Sequence, residues 1–571
     1  LPALKKKATA FLLSSPTQVP KPPDRTEART LIELFSGETL NENHMRFGIE
    51  ELAFDEYPRD CLWTSKPSWD VLENVNVIII GAGISGIAAA IQLKRLGLRY
   101  KVVERQADIG GTWNLNDYPE ARVDTSSFMY QFKFEKNYPW SEYFASQAET
   151  KSYLKYIVNK FELIADCEFN TEVTTAEWDE NQAVWHVTMR SADGRERQMS
   201  PNFIVSASGL FSTPNLPNIP GIEKFGGAMF HTSQWDHNFD FRGTRVALIG
   251  TGSSGVQLMP ALAREAGKLT VFQRTANWLA ETPRYRDRVP PESRLLFEKM
   301  PYYWNWYCYS SFDTSIQLQH AQTYDHEWRK SNPGVSEANE RLRVGLLDFM
   351  RRELAGREDL IEKCTPNHPP LARRLVVDNG FYRSLLQQNV ELVTERIQHI
   401  TTDGIFTRDG IERRFDLVVL GAGFQTSKYL FPVHYVGRDG MTLEKAWKKD
   451  GPRSYLGVTM PDFPNLFMMY GPNGQSRSTG FYSWAEIWAR YIAGAITQVI
   501  EGKARSATIK RSIFDDYNTR LDAADKEIVW QEGEGSYLLN EHGRQSVNVA
   551  FRTEDLHAML VEPDMSEFDV R

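Results

Sequence analysis

Two short apolar runs in this chain end in the same kind of turn, and that duplication limits the fold more than any other feature. Val77-Ile-Ile-Ile80 leads into Gly81-x-Gly83-x-x-Gly86, and Arg245-Val-Ala-Leu-Ile249 leads into Gly250-x-Gly252-x-x-Gly255. In such a strand–turn–helix the first glycine permits the tight turn. The second lets a pyrophosphate approach the backbone, and the third lets helix and strand pack closely. The phosphates rest on the free N–H groups of the helix start, where Ser85, Ser253 and Ser254 also stand. The pattern predicts an α/β protein with two Rossmann-like dinucleotide-binding domains.

The residues after each turn separate the two sites. Lys101-Val-Val-Glu104 reads as the next strand, and Glu104 stands 18 residues past Gly86, where an acidic group grips ribose hydroxyls. At the second turn the same offset falls on Gln273, followed by Arg274 and Thr275. A carboxylate there would repel a 2′-phosphate, whereas a Gln with an Arg and a Thr hydroxyl can bind one, so this site is expected to prefer NADPH. The plainer reading makes Arg274 a solvated strand-end charge. Two such folds point to tightly held FAD at the first site and a visiting nicotinamide at the second, with hydride transfer onto the flavin.

The remaining chain sorts around these turns. Residues 1–69 read as a helical extension with a proline linker (Pro16, Pro20, Pro22, Pro23). Asp24 and Glu27 form a capping-box-like pair, and Ala28, Leu31, Ile32 and Phe35 fall on one face up to Gly37. It is expected to pack on the main body and offers a surface for a homodimer. Residues 70–215 are assigned to the first part of the FAD-binding domain, 216–399 to the NADP-binding domain with a helical insert at about 286–356, and 400–571 to the second FAD-binding part. Lys5-Lys6-Lys7 before Ala8–Leu13 mimics a secretion signal, but its apolar part is shorter than the usual ~7–15 residues. The leading Leu suggests that the true start lies upstream. No stretch reads as a membrane span, and a cytoplasmic protein is expected. The net charge of −8 disfavours nucleic acid or an anionic membrane as partner. The 4 cysteines form no CxxC, which argues against a disulfide framework or a cysteine zinc site, and no metal is expected.

Phe225-x-Gly227-x-x-x-His231-x-x-x-Trp235-Asp236 lies just before the second turn. Further segments are Gly110-Gly111-Thr112-Trp113, Asn116-Asp-Tyr-Pro119 through to Asp124, Ser206-Ala-Ser-Gly209 and Leu420-Gly-Ala-Gly-Phe424. With these the sequence resembles the Baeyer–Villiger monooxygenases, class B flavoprotein monooxygenases, from about residue 75 to 550. Related N-hydroxylating and flavin-containing monooxygenases usually carry Tyr or Phe in place of Trp235. The long extension and Tyr537-Leu-Leu-Asn540-Glu-His-Gly-Arg544 look most like the branch of 4-hydroxyacetophenone monooxygenase.

The resemblance implies an NADPH- and FAD-dependent enzyme that takes a ketone and O2 and forms an ester or lactone through a C4a-peroxyflavin and a Criegee intermediate. It implies that Arg374 is catalytic, favouring the peroxide anion and then the charge of that intermediate. Asp124 would position the guanidinium, Arg373 would reach the NADP 2′-phosphate, and Gly111, Thr112 and Trp113 would contact cofactor. Two departures stand out. Glu120 replaces the usual Gly, which bears on the shape of the substrate and nicotinamide pocket. The Trp that often precedes the late Asn-x-x-Gly-Arg segment has no counterpart.

Each assignment has a plainer rival. An Arg-Arg pair after a proline turn is usually solvated surface, Asp124 could cap a helix, and Trp113 and Trp235 could be core aromatics. His231 is read as a hydrogen-bonded residue coupling domains, because the reaction has no step that needs an imidazole. The aromatic run Tyr302–Tyr307 is read as packing. N- or S-oxygenation by a flavin hydroperoxide, and a non-catalytic nucleotide sensor, are the alternative functions.

Overall fold

The computed structural model describes residues 2–14, 20–533 and 535–571. Pro16 of the expected linker lies outside the described residues. Val77–Ile80 is buried on both sides, as a continuous apolar run in a parallel sheet should be. It occupies the middle of a five-stranded parallel sheet in the order Leu466–Met468, Phe203–Ser206, Asn76–Ile80, Arg99–Val103, Cys167–Glu168. The helix Ile84–Leu96 is apolar nearly all round because it is sandwiched between this sheet and the long helix Phe481–Glu501. A separate sheet holds His434–Val436, Thr171–Asp179, Val184–Ser191 and Glu196–Met199.

The second unit repeats the plan. Its parallel sheet runs Val390–Val393, Lys268–Phe272, Arg245–Ile249, Leu417–Leu420, Ala228–His231. This corrects the expected placing of 400–571 with the first sheet. Leu417–Leu420 pairs with both Arg245–Ile249 and Ala228–His231, so the chain leaves the second unit only after Leu420. A small antiparallel sheet of Ile397–Ile400, Gly404–Thr407 and Glu412–Arg414 covers the same unit, with Ile400, Ile405 and Phe415 packing on Val418.

The expected helical insert is present as Pro291–Lys299, Tyr303–Gln322 and Glu337–Glu353. Glu337–Glu353 packs in the core of the second unit through Leu346, Phe349 and Met350. Tyr303–Gln322 does not. Trp304, Cys308, Phe312 and Ile316 enter the first core, and the helix lies on Glu42–Leu52 of the extension. Tyr307 packs edge-on against Phe128, as a packing role requires.

In the extension Asp24 accepts the Glu27 N–H at 2.9 Å, Gly37 ends the helix Arg25–Ser36 in the left-handed region, and Ala28 and Ile32 are buried. The next helix, Glu42–Leu52, is tied in by buried charges. Arg59 donates to Glu50, Glu51 and Glu486, and Lys133 pairs with Glu51 at 2.9 Å. Burial alone would raise the Glu51 carboxyl; the charges of Lys133 and Arg59 overcome this and pull it down to about 2. The lysine-rich helix Pro2–Ser14 has no buried residue.

Candidate active site

The two glycine turns match at their first and third glycines. Gly81 and Gly250 have φ +107 and +108, a region that only glycine enters without strain. A Cβ on Gly86 would lie 1.9 Å from the Gly81 carbonyl oxygen, and one on Gly255 would lie 2.2 Å from that of Gly250. Gly83 and Gly252 start the helices Ile84–Leu96 and Ser253–Glu265, and neither helix start is capped by a side chain. Gly83 faces Gly111, where a Cβ would meet the Gly83 Cα at 3.0 Å, whereas a Cβ on Gly252 would point into open space. Both turns open into one cleft of about 1470 Å³, larger than the ~300–1,000 Å³ of a site for one drug-sized ligand.

Glu104 is buried at the edge of this cleft. Its oxygens accept the Ala82 N–H at 2.7 Å and the Gln106 N–H at 2.8 Å, and each retains a lone pair. Arg274 and Thr275 line the cleft at the second turn, and Arg373 lines it from a separate segment. Gln273 departs from expectation. It is buried, and although it lines the cleft, one of its two amide N–H groups is taken by the Lys363 carbonyl at 2.8 Å.

Arg374 and Asp124, 250 residues apart in sequence, meet in the cleft wall with Nη2 donating to Oδ2 at 2.6 Å. Asp124 follows the loop after the first turn; Arg374 precedes the strand Val376–Val377, which pairs with Leu279–Ala280 of the second unit. About half of the Arg374 side chain (48%) is open, and it opens into the cleft. The Asp124 charge, with the Tyr537 hydroxyl beside it, raises the guanidinium above its ordinary pKa against the effect of burial. Tyr130 and Tyr470 complete this part of the wall. Trp113 donates to the Tyr130 hydroxyl at 3.1 Å, and the Tyr470 hydroxyl donates to Gln475 at 2.8 Å.

A family model described as flavin-binding monooxygenase-like matches residues 74–331. A Baeyer-Villiger monooxygenase of Pseudomonas aeruginosa is 31% identical over 484 residues, 84% of this chain and 88% of the relative. The chain belongs to the Baeyer–Villiger monooxygenases. Among solved structures, an oxidised steroid monooxygenase bound to NADP is similar with a TM-score of 0.73 and 27% identity, covering 86% of this chain and 99% of that one. A cyclohexanone monooxygenase from a Rhodococcus species, bound to NADP+, is similar with a TM-score of 0.74 and 25% identity, covering 87% and 99%.

In this Baeyer–Villiger monooxygenase the Phe225–Asp236 segment lies off the Arg374 wall. His231 ends the edge strand of the second sheet, with Nδ1 accepting the Ser233 N–H at 3.1 Å and Nε2 directed at the Gly423 carbonyl at 2.9 Å. Burial lowers its pKa, and both ring nitrogens already have protein partners. Trp235 is buried edge-on against Phe230 at 4.8 Å, and Asp236 is exposed, accepting the Asn238 N–H. A Cβ on Gly227 would lie 2.8 Å from the Asp416 oxygen and from the Phe225 ring, so the motif glycine is sterically required.

Glu120 is absent from the cleft wall; its carboxylate takes Arg264, on the second-unit helix Ser253–Glu265, and Arg286, in the segment after Leu279–Ala280. Its φ of +68 explains why glycine is the easier residue there. Two contributors were missed. Tyr537 takes wall space beside Arg374 in the segment where a Trp was sought. Gln257, from the helix after the second turn, accepts the Tyr118 hydroxyl at 2.8 Å and donates to the Arg122 carbonyl at 2.9 Å, docking the Asp124 loop. Tyr537 stood in a segment already singled out, whereas Gln257 carries no local signal.

Proposed function

We propose that this chain inserts one oxygen atom of O2 next to the carbonyl of a ketone, giving an ester or lactone, with FAD on the first turn and NADPH on the second. The chain fits both nucleotides. The side-chain-free Gly83–Gly111 contact and the open space at Gly252 leave uncapped helix N–H groups accessible to phosphates. Glu104 keeps acceptor capacity for ribose hydroxyls, and Arg274, Thr275 and Arg373 offer donors for a 2′-phosphate. When bound, NADPH supplies hydride and the reduced flavin supplies the oxygen-activating chemistry.

The protein's own part centres on Arg374. Its guanidinium stays charged at any working pH, so it stabilises negative charge building on the substrate oxygen and cannot donate its proton outright. Asp124 fixes the direction of that guanidinium, and the Tyr537 hydroxyl beside it adds to that support. Tyr130 and Tyr470 give the wall polar tips on apolar rings, suited to excluding bulk water from a flat substrate. His231 joins the second sheet to the returning chain at Gly423 and serves as a coupling residue. The aryl-ketone branch is part of this reading, carried by the extension and the Tyr537 segment. So is a homodimer through the exposed Leu34 and Phe35.

The Arg374–Asp124 pair, in the wall of a cleft that spans both turns, carries the proposal. In Arg374→Ala, NADPH is expected to reduce the flavin near the normal rate while ester formation falls at least ~100-fold, the scale of one lost charge-stabilising donor. Mass spectrometry of products from aryl, cyclic and linear ketones under labelled oxygen reads the outcome. Normal ester yield would refute the role of Arg374. Oxygen found only on nitrogen or sulfur of test amines and sulfides would refute the ketone reading.

A further inference from the structure

Glu120 holds a conformation unsuited to its residue type and shares its carboxylate between two guanidiniums across the units. Arg264 Nη2 donates to Oε1 at 2.8 Å, and Arg286 Nη1 donates to Oε2 at 3.0 Å. Arg264 lies in the last turn of the helix that begins at the second glycine turn. Arg286 carries the connection further. Its Nε donates to Asn379 Oδ1 at 3.1 Å, and the Asn379 amide donates to the Gln257 carbonyl at 3.2 Å. Asn379 is buried, so these contacts are shielded at their inner end.

The register of these contacts links them to the chemistry. Asp124 lies shortly after Glu120 on one segment, and Arg374 lies shortly before Asn379 on the other. Between Arg374 and Asn379 the chain is stiffened by the paired strand Val376–Val377. The path Glu120–Arg286–Asn379 therefore joins the same two segments that Asp124 and Arg374 join. A shift of the Tyr118–Asp124 loop along the second unit would have to break both.

We propose that Glu120 is a positioning residue for the Asp124–Arg374 pair, fixing the Tyr118–Asp124 loop on the second unit so that carboxylate and guanidinium meet within hydrogen-bond distance. This rests on the role given to Arg374 above. Separately exposed ion pairs contribute little, and Arg264 and Arg286 are 51% and 43% exposed. One carboxylate held by two guanidiniums, beside the buried Gln257 contacts, constrains geometry more than either pair alone.

The test uses the FAD-loaded full chain with Glu120→Gly and Glu120→Gln. Glycine accepts φ +68 without strain, so the first variant keeps the fold while removing the carboxylate. We expect FAD content and the rate of flavin reduction by NADPH to stay within about twofold, while ester formed per NADPH falls by about three- to tenfold in Glu120→Gly. The balance of NADPH and O2 goes to NADP+ and H2O2. Glu120→Gln, which retains acceptor and size, is expected to fall between, and Arg286→Gln is expected to repeat the loss from the other side. Amide hydrogen exchange of the same FAD-loaded variants, without NADPH or ketone, provides a readout independent of turnover: exchange rises at both 118–124 and 376–380. Unchanged ester per NADPH in Glu120→Gly, or faster exchange confined to 118–124, would overturn the proposal. Failure of the wild-type chain to form ester from any ketone would overturn the role of Arg374 instead, and the exchange pattern would still decide whether Glu120 couples the two segments.

Discussion

The second glycine turn allows a test in which the same methyl group, added at two positions, gives opposite outcomes. In Gly252→Ala the backbone, at φ −77 and ψ −173, is ordinary for alanine, and no heavy atom lies within 4 Å of the new Cβ. The folded protein loses only the preference for Gly over Ala at a helix start, at most ~1 kcal/mol. That corresponds to a fall in Tm of a few degrees, about 2–4 °C for a unit of this size. The methyl does stand where a pyrophosphate would approach the helix N–H groups. Loss of one hydrogen bond to a charged group costs ~1.5–3 kcal/mol, or about 10- to 150-fold in NADPH affinity. Stopped-flow reduction across NADPH concentrations, with calorimetric binding of NADP+ to the FAD-loaded protein, measures this, and FAD content should be unchanged. In Gly255→Ala the Cβ would lie 2.2 Å from the Gly250 carbonyl oxygen, a backbone atom that cannot rotate away. Strand end or helix must move, at a cost above ~3 kcal/mol, and the second unit should unfold early on heating. NADPH binding within twofold of wild type in Gly252→Ala would refute the placing of the pyrophosphate. Full stability in Gly255→Ala would refute the packing argument.

Two further outcomes are expected. Arg274→Ala should narrow the preference for NADPH over NADH by about tenfold, the loss of one charge-assisted contact, read from kcat/KM with each cofactor; an unchanged ratio would return Arg274 to a solvated strand end. Asp525 is buried at the end of the helix Arg511–Asp525, and burial, only partly offset by Arg544, pushes its carboxyl up to about 6. A raised acid favours the folded state fully below about 3.8 and loses that contribution as pH rises through about 6, so Asp525→Asn should raise Tm at pH 8 and not near pH 4.

What the sequence made legible was local. The glycine turns, the Asp24 cap and the strand before Glu104 each depend on residues within one turn or strand of each other, and their geometry follows from backbone rules. Arg374 with Asp124 was reachable only through family resemblance, since nothing near either residue names a partner 250 positions away. Gln273 shows the limit of counting from a motif: its offset places it at the cleft, but a carbonyl at Lys363 supplied by a different segment takes one of its amide donors. Leu417–Leu420 was assigned to the wrong sheet because two parallel sheets in one chain present the same short apolar runs, and only pairing distinguishes them. Glu120 drew notice only as a replacement for the family's usual Gly; its partners Arg264 and Arg286 stand more than 140 positions away and could not be read from the sequence.

The placement of the helix Tyr303–Gln322 has a mechanical consequence. The chain leaves the second unit after Leu279–Ala280, buries this helix between the amino-terminal extension and the first core, and returns through Glu337–Glu353. The second unit is thus strapped to the other body at 281–290 and 323–336 as well as by the passages after Ser206 and Leu420. Any movement of the second unit against the first body is therefore restrained at those straps, with Tyr303–Gln322 anchored in the first core. Shortening or stiffening either strap should then change how freely the second unit moves against the first body, without touching the Arg374 wall.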